Sequence, residues 1–145
     1  MKLNYLALSL ICILPVFAVC AADYEELNQK CITLQKGFVN GDLNTVLSYY
    51  HPDLEKDKTA LTLLKKRVKK KSDAQIKYQR GEFSTIKILS SQEEAITERD
   101  HRLPYDINQK IGVRLQITFV NDELTWEPYC LFIHDKTDNN WYVIN

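Results

Sequence analysis

The hydrophobic period of this chain changes once, and that change limits the folds open to it. From Tyr24 to about Lys71 apolar residues recur at helical spacing; from Ala74 onward they alternate, with turn residues at intervals that suit strands. Helices followed by an antiparallel meander is the α+β order, in which a helix layer covers one face of a sheet. No internal repeat or low-complexity linker interrupts the scheme.

The helical part contains a sharp corner. Tyr24, Leu27, Cys31, Leu34 and Phe38 share one helical face, and Glu26, Gln29, Lys30, Thr33 and Lys36 share the other. Asn40-Gly41 supplies residue types that tolerate a left-handed helix end, and Asp42 is placed to cap a second helix, Leu43 to Tyr50. That helix cannot run far, because Pro52 disfavours helical geometry at His51. A third helix is predicted over Asp57 to Lys71, with Ala60, Leu61, Leu64 and Val68 on its inner side. Its other side is basic, with Lys65, Lys66, Arg67, Lys69, Lys70 and Lys71 in the expected last turns, where positive charge complements the helix dipole. The run is open to two readings: a solvated helix face, or an anion site for phosphate, lipid head groups or an acidic partner.

A long helix, Gly41-Asp42, a short Val/Leu/Tyr helix and His51-Pro52-Asp53-Leu54 together resemble the opening of the nuclear transport factor 2-like (NTF2-like) superfamily. The order of elements extends the resemblance over roughly Tyr24 to Asn145. It implies a cystatin/NTF2-like cone: three N-terminal helices packed on a strongly curved antiparallel sheet, with the open end forming a pocket. It constrains function weakly, since isomerases, cyclases, dehydratases, transport factors and binding domains share that fold.

The strands are expected at Gln75 to Gln79, Phe83 to Ser90 and Glu94 to Leu103, the last two separated by a Ser91-Gln92 turn. A loop follows at Pro104, Asp106 and Asn108, and then the clearest alternation, Ile111 to Val120. A hairpin turn at Asn121-Asp122 leads to a strand from Leu124 to Asp135, and Trp141 to Ile144 closes the sheet.

Met1 to Ala22 carries one Lys, an apolar run from Leu6 to Val19 and then small residues, the pattern of a secretory signal peptide with cleavage near Ala22. A lipoprotein reading through Cys20 suffers from the lack of a small residue just ahead of it, and an uncleaved anchor is the other alternative. The remaining residues, 23–145, make one domain in a secreted or periplasmic protein. Cys31 and Cys130 would then be the remaining thiols in an oxidising compartment, either bonded to each other or buried as small hydrophobes.

With 19 basic and 19 acidic side chains there is no global field to draw in nucleic acid. Three scattered histidines offer no metal-ligand spacing, and no phosphate loop, nucleophile elbow or dinucleotide fingerprint is present, so neither metal nor cofactor is expected. The resemblance implies that a catalytic member would use a pocket carboxylate with Tyr donors. Tyr49, Tyr50, Asp53, Asp100, His101, Tyr105, Trp126, Glu127, Tyr129 and His134 are the side chains available, with Tyr50, Asp100, Tyr105, Trp126 and Tyr129 the pocket candidates. Asp100 and His101 would point to opposite faces of a strand, which favours surface ion pairs for Asp100. The expected function is therefore a non-catalytic module for a small apolar ligand or a protein partner, and the resemblance implies a homodimer, since the superfamily often pairs through the exposed sheet face. The alternative is an isomerase or cyclase. Membrane contact is expected only through the signal peptide, or weakly through the basic helix.

Overall fold

The computed structural model describes residues 21–144, with side chains from Asp23 onward. Residues 1–20, where a signal peptide is expected, lie outside the described residues. Helix α1 spans Ala21–Asn40, α2 spans Leu43–Leu47 and α3 spans Lys58–Lys77, with a 3-10 turn at Pro52–Lys56 between the last two. Five strands follow: β1 (Phe83–Glu93), β2 (Ile107–Phe119), β3 (Asp122–Trp126), β4 (Tyr129–Asp135) and β5 (Asn140–Val143). The protein is α+β, three helices on an antiparallel sheet in the order β1-β2-β4-β5, with β3 paired to the far end of β2.

The corner forms as its residue types dictate. Gly41 adopts a positive φ of 71°, and the Asp42 carboxylate accepts the Thr45 backbone N–H at 3.1 Å. Helix α2 is one turn shorter than the Leu43 to Tyr50 prediction, because Pro52 holds His51 extended and starts the 3-10 turn instead. His51 Nδ1 accepts the Asp53 N–H at 3.1 Å and caps that turn. Asp57 then caps α3 through the Thr59 and Ala60 N–H groups.

Three stretches depart from expectation. Helix α3 continues through Gln75 to Lys77, so the short strand predicted there does not exist. Ala74, Gln75 and Ile76 contain no helix breaker, and the chain turns only at Gln79 and Gly81, both with positive φ. The basic run therefore lies in the middle of α3, where the dipole argument has little force. Strand β1 runs unbroken through Ser91 and Gln92 to Glu93, but Glu94 to Leu103 is loop and a 3-10 turn at Asp100–Arg102. The predicted strand from Leu124 to Asp135 is split at Glu127-Pro128, since proline has no N–H for a ladder.

The helices fill the concave face. Leu27, Cys31, Leu34 and Phe38 of α1 meet Val113, Leu115, Cys130 and Phe132 of the sheet, all buried. Cys31 and Cys130 form a disulfide across this core, with Cα atoms 5.8 Å apart and a sequence separation of 99. A loop of that length contributes about 4–5 kcal/mol in the chain-entropy account. Register shifts along β1, β2 and β3 bend the sheet around α1 without closing it. One sheet edge is covered, because the Val143 N–H of β5 donates to the Tyr49 carbonyl at 2.8 Å. The convex face has its own small core at one end, where Ile96, Leu103 and Tyr105 pack on Ile107, Ile133 and Tyr142.

Candidate functional site

At the end of the cone where α1 and α3 terminate and β1 begins, helix and sheet diverge. They leave an open groove of about 530 Å³ whose apolar walls are Val39, Ile76, Phe83 and Ile86, with Lys36 and Gln75 also lining it. Gly81 at its rim has a φ of 75°, which a side chain would strain, and its carbonyl accepts from Gln75 Nε2. The other amide atom of that side chain, Gln75 Oε1, is buried with no protein partner.

A smaller depression of about 100 Å³ shares the Val39 wall and is lined further by Lys71, Ala74, Arg80 and Trp126. The Lys71 ammonium lies 4.5 Å from the Trp126 ring centroid and 4.9 Å from that of Phe38. Burial, aided by the neighbouring Arg67 guanidinium, lowers its pKa from 10.5 to about 8. Arg67 approaches the same Phe38 ring at 5.2 Å. Trp126 stacks on Phe119 and meets Phe83 edge-on, so this end of the sheet is aromatic. Arg80 is held by Asp122 at 2.8 Å, whereas neither Arg67 nor Lys71 has a carboxylate at ion-pair distance among the described residues.

The other members of the basic run have different surroundings. Lys65, Lys66, Lys69 and Lys70 are exposed, and Lys69 pairs with Asp73 one turn on at 2.7 Å. Their charges are solvated, and such pairs stabilise little.

The five expected pocket residues are spread over the molecule. Trp126 borders the small depression, and Tyr50 borders a separate shallow one with Leu47 and Trp141. Burial raises the pKa of Tyr50, with Arg67 opposing. Tyr105 stacks on His51 at 4.1 Å, and burial, followed by the charges of Asp53 and Asp135, raises its pKa. Tyr129 lies on the convex face and donates to Glu94 at 3.0 Å; burial and that bond push its pKa up to about 12. It rests so closely on Gly112 that a Cβ there would meet its hydroxyl at 2.1 Å.

Asp100 corrects its expectation most sharply. It is 4% exposed, and its carboxylate accepts from Lys110 Nζ at 2.7 Å and from the Thr97 N–H and hydroxyl. Burial raises its pKa, but the Lys110 and Thr97 bonds outweigh burial and the net shift is downward. The 3-10 turn puts it there; on the expected strand it would have faced a neighbour across the surface. His101 is exposed, and His134 sits against Trp141 with its Nδ1 2.7 Å from Asn108. His51 has its Nε2 3.6 Å from the buried Asp135 carboxylate.

Sequence reasoning missed Val39, Gln75, Ile76, Arg80 and Phe83 as site residues. One signal was available. The inner stripe of α3, Leu64 and Val68, continues at helical spacing to Lys71 and Gln75, which puts a cation and an amide where the pattern calls for apolar residues.

No family model and no curated protein matches the chain. Among solved structures it is similar to a Campylobacter jejuni protein provisionally described as an NTF2-like transpeptidase, at 16% sequence identity and a TM-score of 0.54. The match covers 81% of this chain and 96% of that one. At this identity the likeness speaks for architecture alone, and with the helix corner and the bent sheet it identifies the fold of the chain as NTF2-like.

Proposed function

We propose that the protein is a non-catalytic binding module which receives a small ligand of apolar body in the groove between the ends of α1 and α3 and the start of β1. The observation that carries this reading is the groove itself: about 530 Å³, walled by Val39, Ile76, Phe83 and Ile86, with an unpartnered buried amide oxygen on Gln75. An exported protein fits the same picture. The Cys31–Cys130 disulfide is at home in an oxidising compartment, and no described helix is long and apolar enough to cross a membrane.

The isomerase or cyclase alternative has less support. It calls for a pocket carboxylate poised near neutrality, but Asp100 is committed to Lys110 with its pKa lowered, and it lies on the convex face. A surface for a protein partner or a second copy of the chain is favoured by one feature, the unpaired outer edge of the 11-residue β1 with Ile88 and Leu89 exposed.

Titration with the neutral fluorophore Nile red tests the groove. Saturable one-to-one binding that Ile86→Glu abolishes is expected. Binding that never saturates, or that Ile86→Glu leaves unchanged, overturns the reading. Light scattering on the same samples reports whether the chain pairs with itself.

A further inference from the structure

Resting on that reading, we infer that the ligand is a small carboxylic acid, its apolar body in the groove and its carboxylate in the adjoining depression against Lys71, between Trp126 and Arg80. The two hollows share the Val39 wall, and Ala74-Gln75 and Arg80-Gly81 each contribute one residue to either side of their boundary. They adjoin across Val39, and we take them together as one amphipathic site.

Lys71 and Arg80 line the smaller hollow and Arg67 shares the Phe38 ring with Lys71; among the described residues Arg80 alone of the three has a carboxylate partner, Asp122. Lys71 is held by two aromatic rings, which attract a cation but do not neutralise it. A half-buried ammonium with a like charge beside it is an unfavourable arrangement, and an arriving anion relieves both its partial desolvation and its repulsion from Arg67.

The chemistry of the walls selects the kind of anion. A volume of about 100 Å³ has room for a head of roughly three water-sized groups. Val39, Ala74 and Trp126 supply almost no donors, so a phosphate dianion with its many acceptor sites would be left largely unsatisfied. A singly charged planar carboxylate asks for fewer donors, and the two cations that line the hollow are Lys71 and Arg80, the latter with its Nε already on Asp122. Its hydrocarbon then lies along Phe83, Ile86 and Ile76, the last of which is 75% exposed and gains cover.

Calorimetric titration of octanoate and its neutral analogue octanamide into the disulfide-intact protein tests the assignment. Octanoate is expected to bind at least tenfold more tightly than octanamide. Lys71→Met should weaken octanoate at least tenfold and leave octanamide within about twofold. Equal affinities for the two probes in the unmodified protein overturn the carboxylate assignment and leave the groove reading standing; this comparison decides the matter even if the variant folds poorly. An octanoate affinity indifferent to Lys71→Met in a folded variant overturns it as well. Failure of both probes to bind takes the groove reading down with it.

Discussion

Lys110 is buried and Lys71 half-buried, and their surroundings differ in a way that separates structure from function. Lys110, on the convex face of the sheet, is 8% exposed and meets the buried Asp100 carboxylate at 2.7 Å. Thr97 completes that carboxylate's bonds, so the loop ahead of β2 is clasped onto the sheet by a satisfied pair. Lys71, above the concave face, has rings in place of a carboxylate and a guanidinium for a neighbour. A buried charge with a matched partner specifies a conformation; a buried charge without one is a cost that persists until something binds. The comparison teaches that the basic run of α3 is not one feature, because only the member falling on the helix's inner stripe carries such a cost.

The clasp gives the largest effect. Lys110→Met leaves the Asp100 carboxylate buried with Thr97 alone and should destabilise by about 3–5 kcal/mol in chemical denaturation. Adding Asp100→Leu removes the orphaned charge, and the double variant should recover to within about 1–2 kcal/mol of the parent. A single variant as stable as the parent would erase the contrast between the two lysines. The pH dependence has a definite sign. The folded pKa of Asp100 lies below its ordinary 3.8, so its contribution is fully present above that value and is lost as the pH falls through the lowered one.

Lys71→Met should act in the opposite direction. At pH 7 the parent carries the full cost of a desolvated ammonium, and replacing it with a side chain of similar length should stabilise by about 1–3 kcal/mol, after discount for its partial exposure. Here the folded pKa of about 8 lies below the ordinary 10.5. Between those values the unfolded chain holds the proton and the folded one does not, so parent stability rises with pH and the advantage of the variant shrinks toward zero. The charge acting on Lys71 is Arg67 on its own helix, and Arg80 with its partner Asp122 stands at the same depression; α1 presents Phe38 and Val39, and β3 presents Trp126. An advantage constant from pH 7 to 10.5 would mean that Lys71 is not desolvated as described. Denaturant melts of both proteins at matched pH decide it.

The fold was legible where hydrophobic period and turn chemistry agreed. The α1 stripe, the Gly41-Asp42 corner and the alternation of β2 appear where the residues place them, and Cys31 and Cys130 face one another because both belong to inward stripes. Misreadings arose where a local pattern had two solutions. Gln75 to Gln79 has helix formers as well as an alternating tendency, and packing of α3 on α1 settled it as helix. Thr97 to Arg102 is polar at every position and has no strand partner, and a 3-10 turn carried Asp100 inward. The candidate site was less legible still. Its walls come from α1, α3, β1 and β3, and nothing along the chain announces that Val39 and Ile86 are neighbours in space. The Lys71 anomaly on the α3 stripe was visible in principle but hidden within a run of six similar charges.

The smallest effect tests whether the strain at Lys71 belongs to that residue or to its helix. Asp57 caps α3 by accepting the Thr59 N–H at 2.9 Å and the Ala60 N–H at 3.0 Å. Asp57→Ala should cost about 1 kcal/mol, within the ordinary range for losing a cap. Lys71 lies fourteen positions on, about 21 Å along the helix axis. If the ammonium is strained by its rings and by Arg67 alone, the cap and Lys71→Met should add to within about 0.5 kcal/mol. A larger coupling, read from denaturation of the two single variants and the double, would mean that fraying at the first turn lets α3 shift and gives Lys71 a route to water. In that event the contrast with Lys110 would lie in the looseness of a helix as well as in the lack of a carboxylate. Additivity keeps it in the site, and makes Lys71 a charge held ready by rigid surroundings rather than one tolerated by a mobile helix.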